Sequence, residues 1–80
     1  MKEIAFTGSA TRQWLKLSAD VRRRLDVRLT RFSRSGQGDV TMLKGRQGAR
    51  LRVGDWRIIF SVEGNMITVI AVGHRREIYD

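Results

Sequence analysis

Cysteine and proline are both absent from this 80-residue chain. Without cysteine there is no disulfide scaffold and no thiol or cysteine-based metal chemistry. A single histidine, His74, rules out a multi-histidine metal site within one chain. No apolar run approaches the roughly 18 residues of a membrane-spanning helix. The N-terminal stretch MKEIAFTGSA lacks the hydrophobic segment of a secretory signal, so the chain is expected to stay in the cytoplasm, away from membranes. Acidic residues are scarce as well. Eight Asp+Glu stand against sixteen Lys+Arg, a net charge of +8, and thirteen of those sixteen are Arg. A chain of this size buries only about 60–65% of its extended surface, enough for one thin core. A single domain over residues 1–80 follows. Its excess charge predicts a polyanionic partner: nucleic acid, an acidic protein, or both.

What is present reads as two helices followed by strands. Residues 2–7 alternate loosely as a short strand, and the Thr7-Gly8-Ser9 turn offers an N-cap. Ala10, Trp14 and Leu17 recur at helical spacing. Ser18 can cap a second helix with Asp20 in its first turn, where the dipole favours an acid. Val21, Leu25, Leu29 and Phe32 form one apolar stripe there, while Arg22, Arg23, Arg24, Arg28, Arg31 and Arg34 spread over the other faces. Gly36 and Gly38 suit left-handed positions that end this helix. The short join between the helices predicts an antiparallel hairpin. From Val40 the period becomes strand-like, and Met66 to Val72 is almost continuously apolar, as expected of a strand covered on both faces.

Gly54-Asp55 reads as a two-residue type II′ turn, and such a turn sets a register. Val53 then pairs with Trp56, Arg52 with Arg57, Leu51 with Ile58, and Arg50 with Ile59. Directly paired side chains share a face. Leu51, Val53, Trp56, Ile58, Phe60 and Val62 therefore form an apolar face that wants the helix pair. Arg50, Arg52 and Arg57 gather on the opposite one. Like charges directly opposite one another cost a few tenths of a kcal/mol up to about 1, and no acid on these two strands relieves them. Extending the pairing through the Glu63-Gly64-Asn65 turn puts His74 on the arginine side. The guanidinium is a planar fork that binds phosphate bidentately. Lys44 and Arg46, in the loop before the cluster, would extend a phosphate track. Much of the charge on the second helix reads as a solvated or steering surface. Trp14 and Trp56 read as core.

The strings LKG at Leu43–Gly45, ARLRVGDWRIIF at Ala49–Phe60 and VGHRREIY at Val72–Tyr79 closely resemble the RelE/ParE toxin superfamily. The resemblance runs the length of the chain. It implies an α+β fold, a small antiparallel sheet with an N-terminal helical hairpin packed on one face. It also implies the toxin of a type II toxin–antitoxin pair. The RelE branch cleaves mRNA in the ribosomal A site, and the ParE branch poisons DNA gyrase without chemistry of its own. Arg50 and Arg52 match positions usually held by lysines. Arg57 matches the strand arginine, Arg75 the arginine after the last strand, and Tyr79 the terminal tyrosine. That set is similar to the RelE branch. The Arg-for-Lys exchanges, the shorter hairpin before Arg57, and His74 depart from its best-known ribonuclease.

The resemblance therefore implies a ribosome-dependent endoribonuclease with Arg50, Arg52, Arg57, Arg75 and Tyr79 as catalytic residues. Lys44, Arg46 and His74 would touch RNA. The implied reaction is attack of a ribose 2′-OH on the adjacent phosphate, needing a base, cations for the phosphorane and an acid for the leaving oxygen. Arg57 and Arg75 suit charge stabilisation, but an arginine stays protonated and makes a poor base. An imidazole titrates near neutrality, so His74 is the candidate acid or base, or a group that stacks on a base. The bland alternative is a cap on the sheet edge. No cofactor or metal is expected. Expected partners are a cognate antitoxin, the ribosome and mRNA, with DNA reached only through the antitoxin. A gyrase inhibitor and a non-toxic nucleic-acid-binding module are the competing readings.

Overall fold

The structure, a computed structural model, describes residues 1–44 and 48–78. A short strand β1 (Glu3–Phe6) leads into helices α1 (Gly8–Leu15) and α2 (Ala19–Ser35). Four strands follow: β2 (Asp39–Met42), β3 (Ala49–Val53), β4 (Trp56–Glu63) and β5 (Met66–His74). They form one sheet in the order β1-β5-β4-β3-β2. Each helix starts where the sequence offers a cap. The Thr7 hydroxyl accepts from the Ala10 N–H at 3.1 Å, and the Ser18 hydroxyl from the Val21 N–H at 3.3 Å. Asp20 sits in the first turn of α2, and Gly36, at φ 75°, closes it in the left-handed region that favours glycine.

The hairpin pairs are antiparallel, and β1 runs parallel to β5. Only strands joined by a tight turn are obliged to be antiparallel, and no such turn joins these two. The β3–β4 register is the expected one, from Val53 opposite Trp56 to Arg50 opposite Ile59. Gly54 has φ 60° while Asp55 keeps a negative φ, which fits a type II′ turn. Leu25 and Leu29 of α2 pack on Leu51, Val53, Ile58, Phe60, Ile67, Val69 and Val72 of the sheet. Trp14 and Trp56 are half-buried against this core. Phe6 meets Trp14 edge-on at 5.2 Å, and Phe32 meets Phe60 at 5.0 Å. Each such side chain contributes about 1.5–3 kcal/mol when fully buried. Val62, expected on this face, lies toward its end and stays 43% exposed.

The β4–β5 pair departs from a regular ladder. Phe60 pairs with Val69 but Ile59 pairs with Ala71, so Ile70 is an extra residue on β5. The bulge lets Ile67, Val69 and Val72 all face the helices despite the three-residue step. It also corrects two expectations. The apolar run of β5 is not covered on both faces, since Ile70 is 40% exposed. And His74 pairs with Trp56, on the helix side of the sheet rather than the arginine side. The bulge is tied to the first helix: the Thr7 hydroxyl that caps α1 also donates to the Ile70 carbonyl at 3.3 Å. Among the described residues, no helix is long and apolar enough to cross a membrane.

Candidate active site

Alternation along β3 buries Ala49, Leu51 and Val53 and turns Arg50 and Arg52 to the other face. On β4 the same alternation presents Arg57, whose direct partner across the strands is Arg52. Arg57 is held by the turn beside it. Its Nη1 donates to the Gly54 carbonyl at 2.7 Å and to the Trp56 carbonyl at 2.9 Å. Arg75, in the turn after β5, is fastened to the same place. Its N–H donates to the Asp55 carbonyl at 2.7 Å, and its Nε lies 3.7 Å from Asp55 Oδ1. The Gly54-Asp55 turn thus gathers Arg57 and Arg75 at one end of the sheet, with Arg52 directly opposite Arg57. Arg50 lies two residues further along β3, about 7 Å. Between them and β5 sits Ile59, fully buried although it faces the arginine side, flanked by Arg50 and Ala71.

Among the described residues, an acid from a third strand relieves Arg52. Asp39 opens β2 directly opposite Arg52, with Oδ2 3.9 Å from Arg52 Nε. Reading residues 35–39 as a helix-ending loop conceals this pair. Lys44 is exposed near the other end of β3, where the Leu43 N–H meets the Gly48 carbonyl. The five residues of β3 separate that end from the Gly54 turn by about 13 Å, so the fold does not bring Lys44 to Arg57 and Arg75. Arg46 and Tyr79 lie outside the described residues.

Three helix arginines belong to this end and are more than general surface charge. A Cβ placed on Gly54 would lie 3.4 Å from Arg24 Nη2, so that guanidinium sits over the turn. Arg28 and Arg31 share a cleft of about 200 Å³ with Gln37, Asp39 and Arg52. Positions 24, 28 and 31 follow the i, i+4, i+7 rule for one helix face, a signal present in the sequence but hidden by the neighbouring arginines. His74 stands on the opposite face, its ring edge-on to Trp56 at 5.4 Å. The clustered guanidiniums can grip a phosphodiester and hold extra charge on it. A guanidinium has donors and no acceptor, so these side chains offer binding and charge but no base.

A family model described as the ParE toxin of the type II toxin–antitoxin system parDE matches residues 4–79. The chain belongs to the ParE toxin family. With its two helices on a mostly antiparallel five-stranded sheet, this ParE-family toxin has the RelE fold. It is 26% identical to a chain of the RelB–RelE antitoxin–toxin complex from Methanococcus jannaschii, with a TM-score of 0.76 and 95% of each chain covered. It is 25% identical to a chain of the intact E. coli RelBE toxin–antitoxin complex, with a TM-score of 0.76 and 92% of this chain and 96% of that one covered. The YoeB dimer from Staphylococcus aureus shares the fold at a TM-score of 0.76 and 17% identity, covering 91% of this chain and 95% of that one. No curated protein matches the toxin by sequence.

Proposed function

We propose that this toxin acts as a RelE-like, ribosome-dependent endoribonuclease that arrests translation and growth by cutting mRNA in the A site. The observation that carries the reading is the attachment of Arg57 and Arg75 to one turn, with Arg52 opposite Arg57. In this reading the scissile phosphate lies against that end of the sheet. Arg57 and Arg75 stabilise the charge that builds up as the 2′-OH attacks and the bond to the 5′-oxygen breaks, leaving a cyclic phosphate and a 5′-OH with the proton passed through solvent; Arg50 and Arg52 hold the phosphate, and Tyr79 orients or stacks on the nucleotide. Lys44 and Arg46 extend the contact to the RNA backbone, and His74 stands at the end of β5. The ribosome supplies the positioning that weak catalytic groups lack, an effect worth several kcal/mol. The reaction needs no metal. A cognate antitoxin, like those in the RelE complexes, neutralises the toxin in the cytoplasm, and DNA is reached only through it.

The test is cleavage of mRNA on programmed ribosomes with the 5′ ends mapped. Wild type is expected to cut within the A-site codon, and Arg57→Ala to cut roughly 10²-fold more slowly, the scale for losing one fixed donor to a developing charge. A second reading, non-enzymatic inhibition of gyrase, draws on the ParE description of the matching family model. Inhibited supercoiling with no RNA cut would establish that reading and remove the first.

A further inference from the structure

The arginine face holds Arg57 through carbonyls of its own hairpin, but Arg75 sits in a three-residue turn beyond the end of β5. Its own N–H, donated to the Asp55 carbonyl, ties the start of that turn, and the rest of the turn must be fixed as well. The hydrogen bonds point to one residue. The His74 carbonyl accepts from the Glu77 N–H at 2.8 Å and the Ile78 N–H at 3.2 Å. Its side chain closes the turn from inside, since Nδ1 accepts from the Arg76 N–H at 3.2 Å. The ring is fixed in turn by its edge-on contact with Trp56.

This is the geometry of an Asx turn, in which a side-chain acceptor one bond past Cγ takes the N–H two residues on. Imidazole Nδ1 occupies the same place along the side chain as Oδ1 of asparagine. The tautomer that makes this bond carries its lone pair on Nδ1 and its proton on Nε2. Held so, the ring has no free lone pair with which to take a proton from a hydroxyl.

We propose that His74 is a positioning residue, an imidazole used as an Asx-type turn former that holds Arg75 at the scissile phosphate, and that it takes no part in proton transfer. The proposal rests on the ribonuclease reading of the arginine site. It predicts that an acceptor matters at this position and an imidazole does not.

His74→Ala and His74→Asn both lose the ring contact with Trp56, and only asparagine keeps the acceptor. Comparing the two therefore isolates the hydrogen bond from the packing. Single-turnover cleavage on programmed ribosomes is expected to fall about tenfold in His74→Ala and to recover to within about threefold of wild type in His74→Asn, the scale of one hydrogen bond. Thermal unfolding of both variants reports whether each is folded. Equal loss in two folded variants would mean the imidazole itself is required, and wild-type rates in both would mean the turn needs no help; either overturns the proposal. Should wild type cut no RNA, the functional reading fails separately. Amide exchange of Arg76 then decides the structural claim, with protection expected in wild type and His74→Asn and lost in His74→Ala. Protection retained in His74→Ala would overturn it.

Discussion

The two faces of the β3–β4 hairpin are built from alternate residues of one stretch of chain and have opposite physics. One face carries Leu51, Val53, Ile58 and Phe60, all buried under the helices. The other carries Arg50, Arg52 and Arg57, with two of those arginines directly opposed. Burial of each large apolar side chain contributes about 1.5–3 kcal/mol, whereas a like-charge pair costs no more than about 1. The covered face can therefore carry the strained one without difficulty. The hairpin teaches that stability and charge placement are separable within a single pair of strands, because the pleat sends alternate residues to different solvents. It also shows how the charges are held. Arg57 leans on carbonyls of its own turn, and Arg52 finds its acid on a neighbouring strand.

That division of labour can be broken from either side. Phe60→Ala, which empties the centre of the covered face opposite Phe32, should cost about 3–5 kcal/mol. In a domain of this size that lowers the melting temperature by well over 10 °C, as urea and thermal unfolding would report. Arg57→Ala should do the reverse, slowing cleavage by roughly 10²-fold while stability moves by less than about 1 kcal/mol. A large stability loss there would show that the charged face also supports the fold. Ser18→Ala removes the cap of the helix that covers the apolar face and should cost about 1 kcal/mol, with cleavage per folded molecule unchanged. Arg52→Thr is the mildest. Relief of the Arg57 repulsion and loss of an exposed ion pair nearly cancel, leaving stability within about 0.5 kcal/mol. The log–log salt slope for single-stranded RNA binding should flatten by about 0.7, the share of one phosphate contact.

The hairpin was the most legible part of the sequence because two residues decide it. Gly54 tolerates positive φ, Asp55 needs none, and the pairing follows by counting. The caps at Thr7 and Ser18 and the Leu25–Leu29 stripe were legible for the same reason: their chemistry is local. What counting could not reach depended on contacts between distant segments. Nothing near Ile70 announces a bulge, since every residue from Ile67 to Val72 except Thr68 is apolar and either register buries something. Asp39 looked like loop because its strand partner, Arg52, is thirteen residues away. The helix arginines that reach the Gly54 turn were obscured by others pointing elsewhere, so composition showed the charge but not its address. The parallel docking of β1 on β5 joins segments some sixty residues apart, with no turn between them to read.

The bulge has a consequence for how chains of this fold vary in length. Pairing resumes after Ile70 with Ala71 opposite Ile59 and continues to His74 opposite Trp56. The side on which the C-terminal residues emerge is thus set by their distance from the Gly54 turn across the sheet, and not by a count along β5. A chain shortened by deletion of Ile70 would keep every one of those partners and lose mainly the local twist and the acceptor for Thr7. Position 70 is therefore where this chain can lose a residue and keep its other strand pairs on β4.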